Sequence, residues 1–135
     1  MAFLLDEPAA AEVEVILRDP EGPAISALNL AEVVDVMLRI FQRPLAPTLD
    51  ALAFLEHAGL RIVAVDAATG LAAGALHARH YDRQRSPLSM ADCVALGTAV
   101  RLNEPLATSD PPLARAASAE NVTIVALPDS QGRRP

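Results

Sequence analysis

The segment from Ser86 to Leu113 constrains the fold more than any other part of this sequence. Its apolar pattern predicts a helix, a tight turn, a short buried strand and the start of another helix. Asp92 is the only charged residue from Met90 to Val100, and Asp110 lies just after the predicted strand. A helix of about ten residues carries the chain roughly 15 Å away, and a strand at ~3.3 Å per residue brings it back. We therefore expect the two carboxylates to meet at one edge of a sheet.

Apolar periodicity divides the rest of the chain into further helices and strands. The clearest helix is predicted over about Leu28 to Gln42, where apolar residues recur every three or four positions. Another helix is predicted to begin at an N-cap near Thr48 and to end at Gly59. Asp66 is predicted to cap a third, from Ala67 to about His80. Short strands are predicted at Ala24–Ala27, Arg61–Val65, Leu106–Thr108 and Thr123–Ala126.

The alternation of strands and helices predicts an α/β fold. Because parallel strands need helical crossovers, we expect a three-layer α/β/α sandwich around a parallel sheet. No change of composition marks an internal boundary, so residues 1–127 are expected to form one domain. Residues 128–135 are polar and are expected to be a frayed C-terminal tail.

Composition excludes several classes of protein. Hydrophobic residues make up 52% of the chain, which favours a buried core over disorder. No apolar run is long enough to cross a membrane and no signal peptide is visible, so no membrane association is expected. The single cysteine, Cys93, indicates a reducing, cytoplasmic setting. A net charge of −6 argues against nucleic-acid binding by bulk attraction, but not against a nuclease that offsets its acids with metal ions.

Three acids are candidates for a metal site. Glu32 is predicted in the first turn of a helix that follows a strand, so it should reach the same edge as Asp92 and Asp110. Carboxylates are the ligands that Mg²⁺ or Mn²⁺ prefers. Each acid also has a purely structural explanation. Glu32 can favour a helix dipole, Asp92 can complete a capping box with Ser89, and Asp110 can be an N-cap before a proline.

Other polar residues carry weaker signals. Arg79, Arg83 and Arg85 form a basic run beside the predicted site, which either binds phosphate or solvates a loop. His77 and His80 are spaced for metal binding, but a solvated helix end explains them better. Neither G-x-x-x-x-G-K-[ST] nor G-x-G-x-x-G is present, so the phosphate-cradling nucleotide folds lack support.

Four segments together resemble a known family. They are AFLLDEP near the start, SALNLAEVVDVM, LSMADCVALGTAV and EPLATSDPPLARAA. In this combination the chain resembles the PIN-domain ribonucleases, specifically the VapC-type toxins of toxin–antitoxin pairs, over essentially its whole length.

The resemblance implies an α/β/α fold and RNA cleavage with Mg²⁺ or Mn²⁺. It implies that Glu32, Asp92 and Asp110 are catalytic metal ligands, and that Thr108 or Ser109 holds a metal-bound water or a phosphate. It also implies a homodimer and a small antitoxin partner that blocks the site.

One part of the family pattern is not matched. The pattern begins with a short apolar strand that ends in Asp, whereas this sequence begins in the helix that follows that strand. We therefore expect the first central strand and the first acid to be missing, because Asp6 matches a later loop.

Three functions remain in competition. The first is a metal-dependent endoribonuclease that acts as a toxin. The second is a catalytically impaired PIN domain that only binds an antitoxin or RNA, which the missing acid favours. The third is a phosphate-accepting receiver domain, which the complete lack of lysine argues against.

Overall fold

The structure is a computed structural model that describes every residue from Met1 to Pro135. Its internal contacts divide the chain into two units, Met1–Ala64 and Val65–Pro135. The first unit contains α1 (Ala2–Leu5), α2 (Ala10–Leu17), β1 (Ala24–Ser26), α3 (Ala27–Arg39), α4 (Leu45–His57) and β2 (Arg61–Val63). The second unit contains α5 (Ala67–His80), α6 (Met90–Leu102), β3 (Leu106–Thr108), α7 (Pro111–Ala119) and β4 (Ile124–Ala126).

All four strands are short, and each is parallel to its partner. In the first unit β1 pairs with β2, with Ala24 opposite Arg61. In the second unit β3 pairs with β4, with Leu106 opposite Ile124. The predicted α/β class with parallel strands is thus confirmed, and the strands form two separate pairs rather than one continuous sheet.

The first unit is built around α3 and its neighbours. Ser26 begins α3, because its side-chain oxygen accepts a hydrogen bond from the Asn29 amide at 3.0 Å. Met37 is the buried residue of α3, and the helix contacts α4 and both strands. Helix α4 begins at Leu45 rather than at the predicted N-cap Thr48, whose hydroxyl instead donates to the Pro44 carbonyl at 2.9 Å.

Two glycines allow the loops of the first unit to approach closely. Gly22 and Gly59 both have positive φ, 68° and 112°. A Cβ on Gly22 would lie 2.2 Å from the carbonyl oxygen of Gly59, well inside van der Waals contact. The Gly22 carbonyl also accepts a hydrogen bond from Nε of Arg61, at the start of β2. This close approach joins the loop before β1 to the loop before β2.

The second unit contains the main hydrophobic core. Helix α6 is buried along most of its length, and it packs on α5, α7 and β3. Leu96 and Cys93 are its most completely enclosed side chains, each 1% exposed. Small residues at the α5–α6 contact, such as Ala73 and Gly97, allow the two helices to pack closely. The core cluster comprises Ala73, Leu76, Leu88, Cys93, Val94, Leu96, Leu113, Ala116 and Ala117.

The C-terminal residues form a hydrogen-bonded turn rather than a frayed end. The Asp129 carboxylate accepts from the amides of Gln131 and Arg133, each at 2.8 Å. Arg134 donates to the carbonyl of Ala126 in β4. The polar tail therefore folds back on the strand that it follows.

Candidate active site

Asp92 lies in a complete capping box at the start of α6. Its amide donates to the Ser89 side-chain oxygen at 3.0 Å, and its Oδ2 accepts from the Ser89 amide at 2.7 Å. The structural explanation for Asp92 is thus correct as far as it goes. Only one carboxylate oxygen takes part in the cap, and the side chain is half-buried, so the other oxygen is available for a second role.

Asp110 has the same arrangement at the start of α7. Its Oδ2 accepts from the Leu113 amide at 2.8 Å, and Pro111 occupies the first helical position, where no amide is needed. The Asp110 amide donates to the buried Thr108 hydroxyl at 3.0 Å, while Ser109 between them is exposed. Only Ser109 separates Asp110 from the end of β3, so Asp110 lies just after the strand, as the sequence predicted, and again commits only one oxygen to capping.

The chain also follows the predicted path between the two aspartates. Helix α6 ends at Asn103, which has the left-handed conformation (φ 55°) that closes the helix and turns the chain toward β3. Strand β3 then leads through Ser109 to Asp110. Helix, turn and strand are therefore all present in the order on which the sequence argument depended.

Glu32 is placed differently from the prediction. It lies in the second turn of α3 rather than in the first, because the helix already begins at Ala27. This position weakens the helix-dipole explanation, since that effect falls off beyond the first turn. The Glu32 side chain is exposed and has no hydrogen bond or ion pair. It belongs to the first unit, whereas Asp92 and Asp110 belong to the second.

The three acids suit a divalent cation by chemistry more than by arrangement. All are carboxylates, the donor type that Mg²⁺ and Mn²⁺ prefer, and each has at least one uncommitted oxygen. The structure nevertheless brings no three His, Cys, Asp or Glu side chains together in an arrangement that could hold a metal ion.

An ion-pair cluster joins the ends of α5 and α7. One Glu120 oxygen accepts from Arg79 at 2.5 Å and from Nε2 of His80 at 2.6 Å. The hydrogen bond from His80 is the largest of the causes that hold the pKa of Glu120 below its ordinary value. The hydrogen bond and the positive charge of Arg79 lower this pKa further. His80 is therefore not simply solvated, and its neighbour His77 stacks on Tyr81 with ring centroids 4.6 Å apart.

The basic loop between α5 and α6 has a defined conformation. Asp82 accepts from the amides of Gln84 and Arg85 at 2.9 and 2.8 Å, and these bonds keep its pKa below the ordinary value. Arg115 on α7 donates to the Arg85 carbonyl at 3.1 Å. Sequence reasoning did not single out Arg115, although its position five residues after Asp110 was a signal that could have identified it.

Cys93 has the structural role that the sequence indicated. It is 1% exposed in the core, and burial, followed by the charge of Asp92, raises the pKa of its thiol. A thiol in this environment is a poor nucleophile. Cys93 therefore does not compete with the carboxylates as the reactive group.

Fold and candidate site together define an α/β protein with a carboxylate just after a parallel strand, where open α/β folds place their sites. The PIN domain family model matches residues 1–119, so this chain belongs to the PIN domain family. PIN domains are typically nucleases and generally use divalent metal ions. A search of curated proteins found no match.

None of the helices is long and apolar enough to cross a membrane.

Proposed function

We propose that this PIN-domain protein is a metal-dependent endoribonuclease that hydrolyses RNA phosphodiester bonds. The observation that carries the proposal is the state of Asp92 and Asp110, which each use one oxygen to cap a helix. Capping fixes each carboxylate on a buried scaffold and leaves its second oxygen for a ligand. A catalytic site requires ligands whose positions are fixed in this way.

In this proposal Glu32 joins Asp92 and Asp110 as the third ligand of Mg²⁺ or Mn²⁺. A bound ion of this kind supplies an activated water and offsets the charge of the attacked phosphate. The Ser109 hydroxyl is exposed and donates to a phosphate oxygen, while Thr108 fixes the Asp110 backbone. Arg83 and Arg85 contact the RNA.

Arg79 is the weakest of the proposed RNA contacts. Its guanidinium pairs with Glu120 at 2.5 Å, so it must exchange this partner before it can bind a phosphate. The side chain is more than half exposed, so breaking this ion pair costs little free energy.

A carboxamide substitution separates the capping role from the metal role. At the N-cap position of Asp110, asparagine caps as well as aspartate does, and at the N3 position of Asp92 its amide oxygen can still accept from the Ser89 amide. Asparagine carries no charge in either place. We expect Asp92→Asn and Asp110→Asn to fold normally and to lose at least 100-fold in Mg²⁺- or Mn²⁺-dependent cleavage of a fluorescent RNA, by removal of a catalytic ligand. Asp66→Asn is the matched control, because Asp66 also caps a helix, through the Thr69 amide at 2.8 Å. Full cleavage by both variants would refute the proposal.

We further propose that the protein is the toxin of a toxin–antitoxin pair, acting in the cytoplasm as a homodimer. This part rests on the VapC-like sequence segments. The first unit offers a surface for an antitoxin, because Ile40, Phe41 and Phe54 on and beside α3 and α4 are 43–67% exposed. An antitoxin segment with an arginine could also pair with the uncommitted acids.

The partner proposal predicts a small neighbouring gene whose product co-purifies with this chain. Crosslinks from that product should fall on Leu30–Phe41 or Thr48–His57. Crosslinks confined to Asn121–Leu127 would contradict the proposed surface. Sedimentation of the purified protein tests the homodimer, which a monomer at micromolar concentration would exclude.

A binding-only PIN domain is the second candidate function. The observation that favours it is the absence of any group of three potential metal ligands. It predicts RNA or antitoxin binding without cleavage at any Mg²⁺ or Mn²⁺ concentration. The cleavage assay therefore separates the two candidates directly.

A further inference from the structure

The arginines of this chain fall into three groups. All eleven basic residues are arginine, in a chain whose net charge is −6. Arg61 and Arg134 make contacts of their own. Ion pairs with Asp or Glu engage Arg18, Arg39, Arg79, Arg101 and Arg133. Those without an acidic partner are Arg43, Arg83, Arg85 and Arg115.

Three of the four unpaired arginines lie together in the second unit. Arg83 and Arg85 are in the loop between α5 and α6, and Arg115 is on α7. The Arg115 guanidinium donates to the Arg85 carbonyl at 3.1 Å, so loop and helix are in direct contact. All three side chains are exposed. We call Arg83, Arg85 and Arg115 the arginine patch.

The backbone beneath the patch is held in one conformation. Asp82 and Ser86 exchange two backbone hydrogen bonds, at 3.0 and 2.9 Å, which close the loop. Asp82 is the acid nearest to Arg83 and Arg85 in the loop, and its Oδ1 is engaged by backbone amides rather than by a guanidinium. A loop ordered in this way loses less entropy when it binds a ligand.

The patch is close in sequence to both candidate metal ligands. Arg85 precedes Ser89, the residue that caps α6 together with Asp92, by four positions. Arg115 is five residues after Asp110, about 7.5 Å further along the chain at the helical rise. None of the three guanidinium groups forms an ion pair with a carboxylate, so all three are available to a polyanion. Guanidinium groups bind phosphates in a bidentate manner, so a phosphate chain is the ligand that fits.

We propose that the arginine patch binds the backbone phosphates of single-stranded RNA and positions the strand beside Asp92 and Asp110. The nature of the polymer rests on the proposed function, whereas the patch itself rests on the contacts above. Arg115 is the anchor, because it touches the loop and extends the basic surface onto α7. The patch contacts phosphates only, so it does not distinguish one base from another.

The salt dependence of RNA binding tests this proposal. The full chain is mixed with a fluorescent single-stranded RNA in EDTA, so that no cleavage occurs, and binding is followed by anisotropy from 0.05 to 0.3 M salt. Removal of three phosphate contacts should make the slope of log K against log salt less negative by about 2. It should also reduce the affinity by about tenfold to a hundredfold at 0.1 M salt. The test variant is R83A/R85A/R115A.

The matched control removes the same charge from paired arginines. R18A/R39A/R133A also loses three positive charges, but each of these arginines is exposed and pairs with an acid four residues away. We expect its slope to equal that of the wild type. The lysine variant R83K/R85K/R115K should keep the slope, because it keeps the charges, while losing part of the affinity.

Each outcome bears on the patch separately from the nuclease function. An equal loss in the control variant, or an unchanged slope in R83A/R85A/R115A, overturns the patch. Wild-type binding to an acidic peptide but not to RNA also overturns it and assigns the patch to a protein partner. If the patch variant alone loses RNA binding while the wild type never cleaves RNA, the patch stands and the nuclease proposal fails.

Discussion

The two units of this protein have similar lengths but very different interiors. Of the seventeen buried apolar residues, four lie in Met1–Ala64 and thirteen in Val65–Pro135. The first unit contains a close approach of two loops at Gly22 and Gly59, whereas the second encloses α6 on several sides. Asp92 and Asp110 belong to the well-packed unit and Glu32 to the other. Asp92 and Asp110 therefore lie in the unit with the larger buried core, and burial of apolar surface is the main source of stability.

The largest expected effect comes from removal of a core leucine in each unit. Leu96→Ala should destabilise the second unit by about 2–5 kcal/mol, because it leaves a cavity in a closely packed cluster. Leu52→Ala, at 7% exposure on α4, should cost less, because the first unit has only four buried apolar side chains. Hydrogen exchange measured for each unit separately gives both values. An equal or larger loss for Leu52→Ala would refute the difference between the units.

A pair of glycine substitutions gives the next effect. Gly22→Ala places a methyl group 2.2 Å from a backbone carbonyl at positive φ, so it should destabilise the first unit by about 1–3 kcal/mol. Gly74 lies within α5 with no atom within 4 Å of an added Cβ, so Gly74→Ala should stabilise the second unit by about 0.5–1 kcal/mol. Thermal melts of both variants measure whether each substitution raises or lowers the stability. A neutral Gly22→Ala would show that the close approach is absent in solution.

The structure also shows which features the sequence could predict. Capping patterns worked best: Asp66, Ser89 and Asp110 all begin helices as predicted, because these side chains bond to amides only a few residues away. Thr48 failed as an N-cap because Pro47 needs no amide bond in a first turn, so the helix could begin upstream at Leu45.

Long-range features were harder to predict. Glu120 pairs with Arg79 and His80 across about forty residues, and no local pattern indicated this cluster. Arg115 likewise meets Arg85 only through the fold. The division of the strands into two pairs also depends on distant contacts, so periodicity could indicate the strands but not their pairing.

The smallest expected effect is a pH dependence of the second unit. The lowered pKa of Glu120 means that its ionised form stabilises the folded state. This contribution is complete above pH 4.5, the ordinary pKa of the carboxyl group. It is lost as the pH falls from there through the lowered pKa of the folded state. Glu120→Gln should therefore reduce stability at pH 7 by about 0.2–1 kcal/mol, with the difference from wild type shrinking toward pH 3.

Urea unfolding at the two pH values measures this difference. Asp35→Asn in the first unit is the comparison, because Asp35 pairs with Arg39 within one exposed helix. Its effect should be smaller than that of Glu120→Gln at pH 7. A wild-type–Glu120→Gln difference that stays constant from pH 7 to pH 3 would contradict the assigned role of the Glu120 cluster.

Titration with Mn²⁺ tests the proposal that Glu32, Asp92 and Asp110 hold one divalent cation. Electron paramagnetic resonance reports free Mn²⁺ during titration with the full chain. We predict one site in the wild type and at least tenfold weaker binding in Glu32→Gln, Asp92→Asn and Asp110→Asn, because each removes a charged ligand. Asp66→Asn should bind like the wild type. Equal binding by all five proteins, or none by the wild type, would rule out this metal site.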